Sequence, residues 1–268
     1  MTLPRRAALG TMHGKEAAIA PPLATLGIAL TVAPIDTDRF GTFTAETPRT
    51  GSMEDAARAK ALAAIEATGL PVGIASEGAY GPHPYLPFTP LGQELILWHD
   101  ARTGQEIIER QIDPRPLYDQ TEAATLEDAE PFLTRIRFPQ TAVIVAPTAS
   151  AAPLAKGVRD RDTLQTVMRG LPRAFLQSDM RAHMNARRME IIAALATRLA
   201  VRLSAPCPRC AAPGWGLLRS DPGLPCSDCG TSTGLTAQDI HGCTACRHEI
   251  AQPRTGTADP AYCPICNP

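Results

Sequence analysis

Ser52-Met-Glu-Asp-Ala-Ala-Arg-Ala-Lys-Ala-Leu-Ala-Ala-Ile-Glu-Ala-Thr-Gly-Leu-Pro-Val-Gly-Ile-Ala-Ser-Glu77 is the stretch that decides the fold class. Ser52 and Asp55 have the spacing of a capping box, in which each side chain satisfies a backbone N–H at the other residue. Gly69 is a natural stop, because glycine enters the left-handed region at no steric cost. The alanine-rich run between them predicts a helix. Leu70 to Ala75 then reads as a buried strand that ends in Ser76-Glu77. A helix feeding a buried strand is the unit of an α/β sheet.

The flanking sequence repeats this alternation. Arg6 to Met12 predicts a short strand, followed by a helix near Lys15 that Pro21 and Pro22 must kink or end. Ile28 to Ile35 is another apolar run, and it opens into a polar loop from Asp36 to Arg49. Glu94 to Trp98 and Glu106 to Gln111 read as a hairpin across Asp100 to Gly104. A proline-punctuated helix near Pro131 to Arg137 precedes the strand Thr141 to Ala146 and a helix from Asp162 to Arg169. The strand Ala174 to Gln177 leads into a long amphipathic helix, about Asn185 to Leu203, which Pro206 stops. The expected architecture is α/β: a mixed sheet flanked by helices over residues 1–205, then a small double zinc-ribbon module over 206–268.

Composition narrows the function classes. The chain has 268 residues, 44% of them hydrophobic, and a formal net charge of −1. That balance argues against a general nucleic-acid binder or a membrane-surface protein, both of which need a basic excess. No apolar run approaches a membrane span, and His13, Lys15 and Glu16 interrupt anything resembling a signal peptide. A cytoplasmic protein is expected. Of 26 basic residues only Lys15, Lys60 and Lys156 are lysines. A lysine kept in an arginine-rich chain suits a compact point charge on a phosphate.

All eight cysteines fall in the tail, as four Cys-x-x-Cys knuckles: Cys207/Cys210, Cys226/Cys229, Cys243/Cys246 and Cys263/Cys266. Two-residue spacing lets both sulfurs of a knuckle reach one tetrahedral ion, and two four-thiolate sites would be structural zinc centres. A disulfide framework is disfavoured in a cytoplasmic chain, and four regular knuckles exceed the needs of a redox dithiol. Asp221-Pro222 and Asp259-Pro260 each precede the second knuckle of a half, which suggests a duplication. Neighbouring knuckles are therefore expected to share an ion, with a cross-brace as the alternative. With four arginines, no lysine and five acids, the tail suits a protein partner better than nucleic acid.

Polar clusters recur at the predicted strand ends, where α/β sheets build sites. They are His13-Gly-Lys-Glu16, the loop holding Asp38 and Glu46, Ser76-Glu77 with His83, Lys156-Gly157, and Asp179 to Arg188 with Arg181. His183 reads as a cap or surface group, and Arg187 and Arg188 as solvated or paired with Glu190. Thr11-Met-His-Gly-Lys-Glu16, Gly41-Thr-Phe-Thr-Ala-Glu46, Ala75 to Pro84 and Asp179-Met-Arg-Ala resemble a bacterial family of unknown function. More distantly, Thr11, Gly14 and Lys15 resemble the phosphate loop of the inosine and xanthosine triphosphate pyrophosphatases. Ala56-Ala-Arg-Ala-Lys-Ala61 is similar to their lysine-bearing helix, and Ser76-Glu77-Gly78 stands where they carry an acidic pair.

That resemblance implies a metal-dependent phosphohydrolase acting on a nucleotide-like anion. Lys15 and Lys60 would hold phosphate with Lys156 or Arg181 as a further clamp. Glu77, helped by Asp38 or Glu46, would hold magnesium. His13 or His83 would be the general acid or base, with Asp179 beside them. The alternative is an α/β sensor of a small phosphate-bearing anion, with no turnover, whose ribbons dock a protein or nucleic-acid partner. No membrane role is expected.

Overall fold

The computed structural model describes residues 2–41, 51–83, 85–86 and 88–268. β1 (Arg6–Gly10), α1 (Glu16–Ala24), β2 (Ala29–Val32), α2 (Met53–Thr68) and β3 (Val72–Pro82) open the chain, followed by β4 (Pro90–Asp100) and β5 (Gln105–Asp113). These strands form a sheet of order β2-β1-β3-β4-β5. Its first three strands run parallel, and β3, β4 and β5 form an antiparallel meander. Pro114 and Pro116 end that ladder, because proline cannot donate to it.

A second sheet of order β6-β9-β7-β8 follows, made by β6 (Gln120–Ala123), β7 (Val143–Ala146), β8 (Ala155–Val158) and β9 (Ala174–Ser178). α3 (Leu126–Arg135) and α4 (Arg161–Met168) cover it around Phe132, Leu133, Leu164 and Leu176. α5 (Ala186–Ser204) then returns to the first sheet. The described residues up to 205 thus hold two sheets with separate cores rather than one.

α2 forms as its sequence dictates. Ser52 Oγ accepts from the Asp55 N–H at 3.1 Å, the Asp55 carboxylate accepts from the Ser52 N–H at 3.0 Å, and Gly69 closes the helix at φ 66°. Small residues press this helix onto the sheet. A Cβ at Gly73 would stand 2.2 Å from the Ala61 carbonyl oxygen, and one at Gly10 2.7 Å from that of Lys60. Ala57, Ala61, Ala75, Leu95 and Leu97 fill this interface. On the other face, Ile74, Ile96 and Trp98 pack with Ile191, Ile192 and Leu195 of α5.

Three elements differ from expectation. α1 does not end at Pro21 and Pro22 but runs on to Ala24, the two prolines forfeiting only the bonds to the Ala17 and Ala18 carbonyls. β3 does not stop at Ala75 but continues to Pro82, paired with β4 along its whole length. α3 starts at a second capping box, Thr125 with Asp128, ahead of the stretch expected to be helical.

The tail carries β10 (Gly216–Pro222), β11 (Thr236–Gly242) and β12 (Glu249–Pro253) in one antiparallel sheet. It is moored to the first sheet. Gln105 Nε2 donates to the Pro213 carbonyl at 2.8 Å and to Thr244 Oγ1 at 3.1 Å, and Arg202 Nε donates to the Gly214 carbonyl at 3.2 Å. No described helix is long and apolar enough to cross a membrane.

Candidate functional site

β1 pairs with β3 only as far as Gly10 with Ala75, so the Ser76 carbonyl lies just beyond the shared ladder. Lys15 takes it: Nζ donates to the Ser76 oxygen at 3.0 Å from a side chain that is buried. Gly14, at φ 64°, turns the loop so that Lys15 reaches this place immediately before α1. Burial pushes the Lys15 ammonium down to about 8, helped by the Arg188 charge, while Glu77 and Glu94 pull it back up. His13 Nε2 meets the Asp38 carboxylate at 3.1 Å. The His13 ring stacks on His183 with centroids 5.4 Å apart and planes 14° from parallel. Burial lowers the pKa of both imidazoles below the usual value, Asp38 opposing it at His13, so both rings are neutral at pH 7.

Around Lys15 lies a buried charge network. Lys60 is bonded to Glu77, the two side chains only 10% and 6% exposed. Arg188 Nε donates to Glu94 Oε1 at 2.6 Å, and Tyr80 donates its hydroxyl to the same oxygen at 2.9 Å. A Cβ at Gly78 would stand 2.6 Å from Arg188 Nη2 and 2.8 Å from both Glu94 oxygens, so only glycine lets this pair lie on the strand. Gly78 and Glu94 are register partners, whereas Glu77 points to the α2 face. Among the described residues, Lys15, Lys60 and Arg188 thus share one buried network with Glu77 and Glu94.

The second sheet and the turn that follows it bring further polar residues to this place. Asp179, fully buried, holds Arg181 through Nη2 at 2.5 Å. Arg159 Nη2 donates to the His183 carbonyl at 2.5 Å. A Cβ at Gly157 would stand 3.2 Å from Arg181 Nη2, and Lys156 beside it is exposed. His183 packs against Gly14 and stacks on His13, so it joins the two groups.

Most of the expected residues thus gather: His13, Lys15, Asp38, Lys60 and Glu77 from the first sheet, with Asp179 and Arg181 from the second. Two roles need correction. Glu77 does not project from a strand end into a cleft, because β3 continues past it and Lys60 neutralises its carboxylate. His83 is spent on its own turn, where Nδ1 accepts from the Tyr85 and Leu86 N–H groups, roughly 20 Å along the chain beyond Glu77. Glu46 lies outside the described residues. Among the described residues the only clusters of three or more potential metal ligands are cysteines, so no acidic cage for magnesium is seen.

Sequence reasoning missed Glu94 and Arg188. Arg188 is buried against Glu94 rather than solvated, while Arg187 does reach Glu190 at 3.6 Å and also Asp113 at 3.0 Å. A signal existed: Arg188 sits three and four residues before Ile191 and Ile192, on the apolar face of its own helix.

The tail holds two groups of four cysteines that could each bind a metal ion: Cys207, Cys210, Cys243 and Cys246, and Cys226, Cys229, Cys263 and Cys266. In each group the sulfurs all lie within 4.8 Å of one another, as a single tetrahedral ion requires. The knuckles alternate, so the expected pairing of neighbours is overturned. Strand direction explains it. The start of β10 meets the end of β11 at Gly216 and Gly242, bringing the first knuckle to the third. The end of β10, the start of β11 and the end of β12 meet at the other edge, bringing the second to the fourth.

A family model described as Domain of unknown function (DUF6671) matches residues 60–268. That range includes Lys60, Glu77, Asp179, Arg181 and all eight cysteines, whereas His13, Lys15 and Asp38 precede it. No curated protein and no solved structure matches the chain.

Proposed function

We propose, for a chain that belongs to the DUF6671 family, that the cleft between the two sheets binds and hydrolyses a small phosphate-bearing molecule, and that the tail is a structural two-zinc module. The observation that carries the cleft reading is the buried Lys15 ammonium, set directly before α1 and beside His13. A buried ammonium is stable only with acceptors or anions near it, and a phosphate beside Lys15 and the N-terminus of α1 would be such a partner. The resemblance of Thr11-Met-His-Gly-Lys15 to a phosphate loop agrees with this.

His13 is suited to proton transfer. Asp38 fixes its Nε2, and a ring neutral at pH 7 can accept a proton from the attacking water through Nδ1. Water then adds to phosphorus while the bond to the leaving oxygen breaks, with Lys15 countering the developing charge. Any magnesium would arrive on the ligand's own phosphates, since Glu77 is held by Lys60. That same capture of Glu77 favours the second reading, binding without turnover.

Phosphate release from a panel of phosphate monoesters and nucleotides, by wild type and Lys15→Met, separates the possibilities. Turnover that the variant loses at least tenfold is the expected result. Binding without release would establish the sensor instead, and neither binding nor release would end both readings. In the tail, the zinc reading is supported by two groups of four cysteines at tetrahedral spacing, with no position left for substrate.

A further inference from the structure

The β3–β4 hairpin carries large apolar side chains out into solvent. Tyr85 is 87% exposed, Leu86 59% and Phe88 100%. The turn beneath them is tied. His83 Nδ1 accepts from the Tyr85 and Leu86 N–H groups at 3.1 and 3.2 Å. The Thr89 N–H donates to the Leu86 carbonyl at 2.9 Å, and the His83 N–H to the Thr89 carbonyl at 2.7 Å. A tip ordered in advance loses little freedom on docking. From Gly78 to Gln93 the sequence has no Asp, Glu, Lys or Arg. No cation therefore draws this tip to an anionic membrane, and no charge recognises a charged partner. It fits an uncharged, apolar pocket. Such a pocket lies between α1 and α5, a groove of about 460 Å³ lined by Pro21, Pro22, Leu26, Ala200 and Val201, two threonines and a serine. Val201 is 66% exposed. α1 runs back along β1, because Ala29 at the start of β2 pairs with Arg6 at the start of β1. The groove thus lies at the N-terminal edge of the parallel strands. The tip lies beyond their C-terminal edge, separated by the eleven residues of β3, roughly 35 Å of strand. It cannot reach its own groove.

We infer that a second copy of this chain receives the tip: Tyr85, Leu86 and Phe88 of each copy dock into the α1–α5 groove of the other, in a two-fold dimer. The two features stand at opposite ends of the sheet. Antiparallel copies therefore bring both tips to both grooves, and the assembly closes on itself. Area favours this reciprocal form. Two aromatic rings and a leucine bury about 450 Å² of tip against a like area of groove. One such contact, about 900 Å² in total, falls short of the ~1,200 Å² of a stable specific interface, whereas two, about 1,800 Å², lie within the usual range. Phe88, the most exposed of the three, is the anchor.

The test is sedimentation equilibrium of the full chain across the micromolar range, where wild type should form a dimer. Phe88→Asp in the tip and Val201→Asp in the groove should each weaken that dimer by at least about thirtyfold. Both side chains are exposed in the single chain, so the circular dichroism of either variant should match wild type. Mixing the two variants should restore a weak dimer, since one intact tip then meets one intact groove. A photoreactive benzoylphenylalanine in place of Phe88 should cross-link to residues 21–26 or 197–204 of another copy. A wild-type monomer throughout the range would overturn the inference. A dimer that neither variant weakens, or whose cross-links fall elsewhere, would overturn it too. Monomeric wild type that binds phosphatidylcholine vesicles, and loses them on Phe88→Asp, would assign the tip to a lipid surface instead.

Discussion

The tail and the polar cluster between the two sheets were unequally readable, and in opposite ways. In the tail, every candidate cysteine ligand is identifiable from spacing alone, because a Cys-x-x-Cys knuckle is a local two-sulfur chelate. Which knuckles share an ion is not, since that depends on which strand ends meet. Between the two sheets, topology brings most of the polar clusters together, but the partners of Glu77, His83 and Arg188 differ from those anticipated. Spacing along the chain encodes chemistry within a turn or a knuckle. Assignments between distant residues belong to sheet register.

The pairing of the knuckles gives the largest effect, because structural zinc binding is worth about 10–16 kcal/mol per site. Metal analysis of two double variants breaks or keeps the alternate arrangement. Cys207→Ser with Cys243→Ser touches a single cluster and should leave about one zinc per chain, against two in wild type. Cys207→Ser with Cys226→Ser touches both clusters and should leave none. The reverse result would restore neighbour pairing.

The next effect concerns Lys60 and Glu77. Removing one partner of a buried pair strands the other charge and costs about 3–5 kcal/mol. Glu77→Gln should therefore lower the melting temperature by on the order of 10 °C. The double variant Lys60→Met with Glu77→Leu should recover most of the loss, because apolar residues of similar volume can replace such a pair. Glu77→Gln that melts like wild type but loses turnover would instead return Glu77 to the reacting centre.

Why the cleft's contacts escaped the sequence can be put residue by residue. Ser76-Glu77 reads as the polar end of a strand, yet β3 stays paired with β4 to Pro82, and the α2 lysine one side chain away makes burial of Glu77 tolerable. The helix carrying that lysine was legible, capping box and stop included. The closeness that buries Lys60 was not, because it depends on Gly10 and Gly73 lying under the same helix from two different strands. Arg188 obeys its helix's apolar periodicity, but its partner Glu94 is 94 positions earlier. The split into two sheets depends on Pro114 and Pro116, whose effect shows only once β5 has a ladder to end.

Lys15 gives a smaller, pH-dependent effect. Its folded pKa of about 8 lies below the ordinary 10.5, so the folded state binds fewer protons than the unfolded state between those values. Stability should rise as pH climbs from about 8 towards 10.5, and the penalty of the buried charge should be fully present below 8. Phosphate affinity runs the other way, weakening as Lys15 loses its proton above about 8. Melting curves and phosphate titrations at pH 7 and pH 9.5 check both slopes. Matching slopes would mean that Lys15 is not the phosphate cation.

The smallest effect tests whether the cleft's rim is chemical or merely structural. Asp38 is 44% exposed on its side chain and His13 is 26% exposed, so their contact adds little to stability, about 1 kcal/mol at most. Asp38 nevertheless raises the His13 pKa, by its charge and by its hydrogen bond, against the larger effect of burial. Asp38→Asn keeps the shape and removes the charge. The His13 titration midpoint, followed by NMR of the ring protons, should therefore fall further below its wild-type position, while the melting temperature hardly moves. Turnover should drop several-fold, because an asparagine orients the ring but no longer stabilises the imidazolium formed when His13 takes a proton. A His13 midpoint that does not move would show that Asp38 does not govern the ring. A midpoint that falls with turnover unchanged would remove His13 from the chemistry and leave the cleft as a binding site.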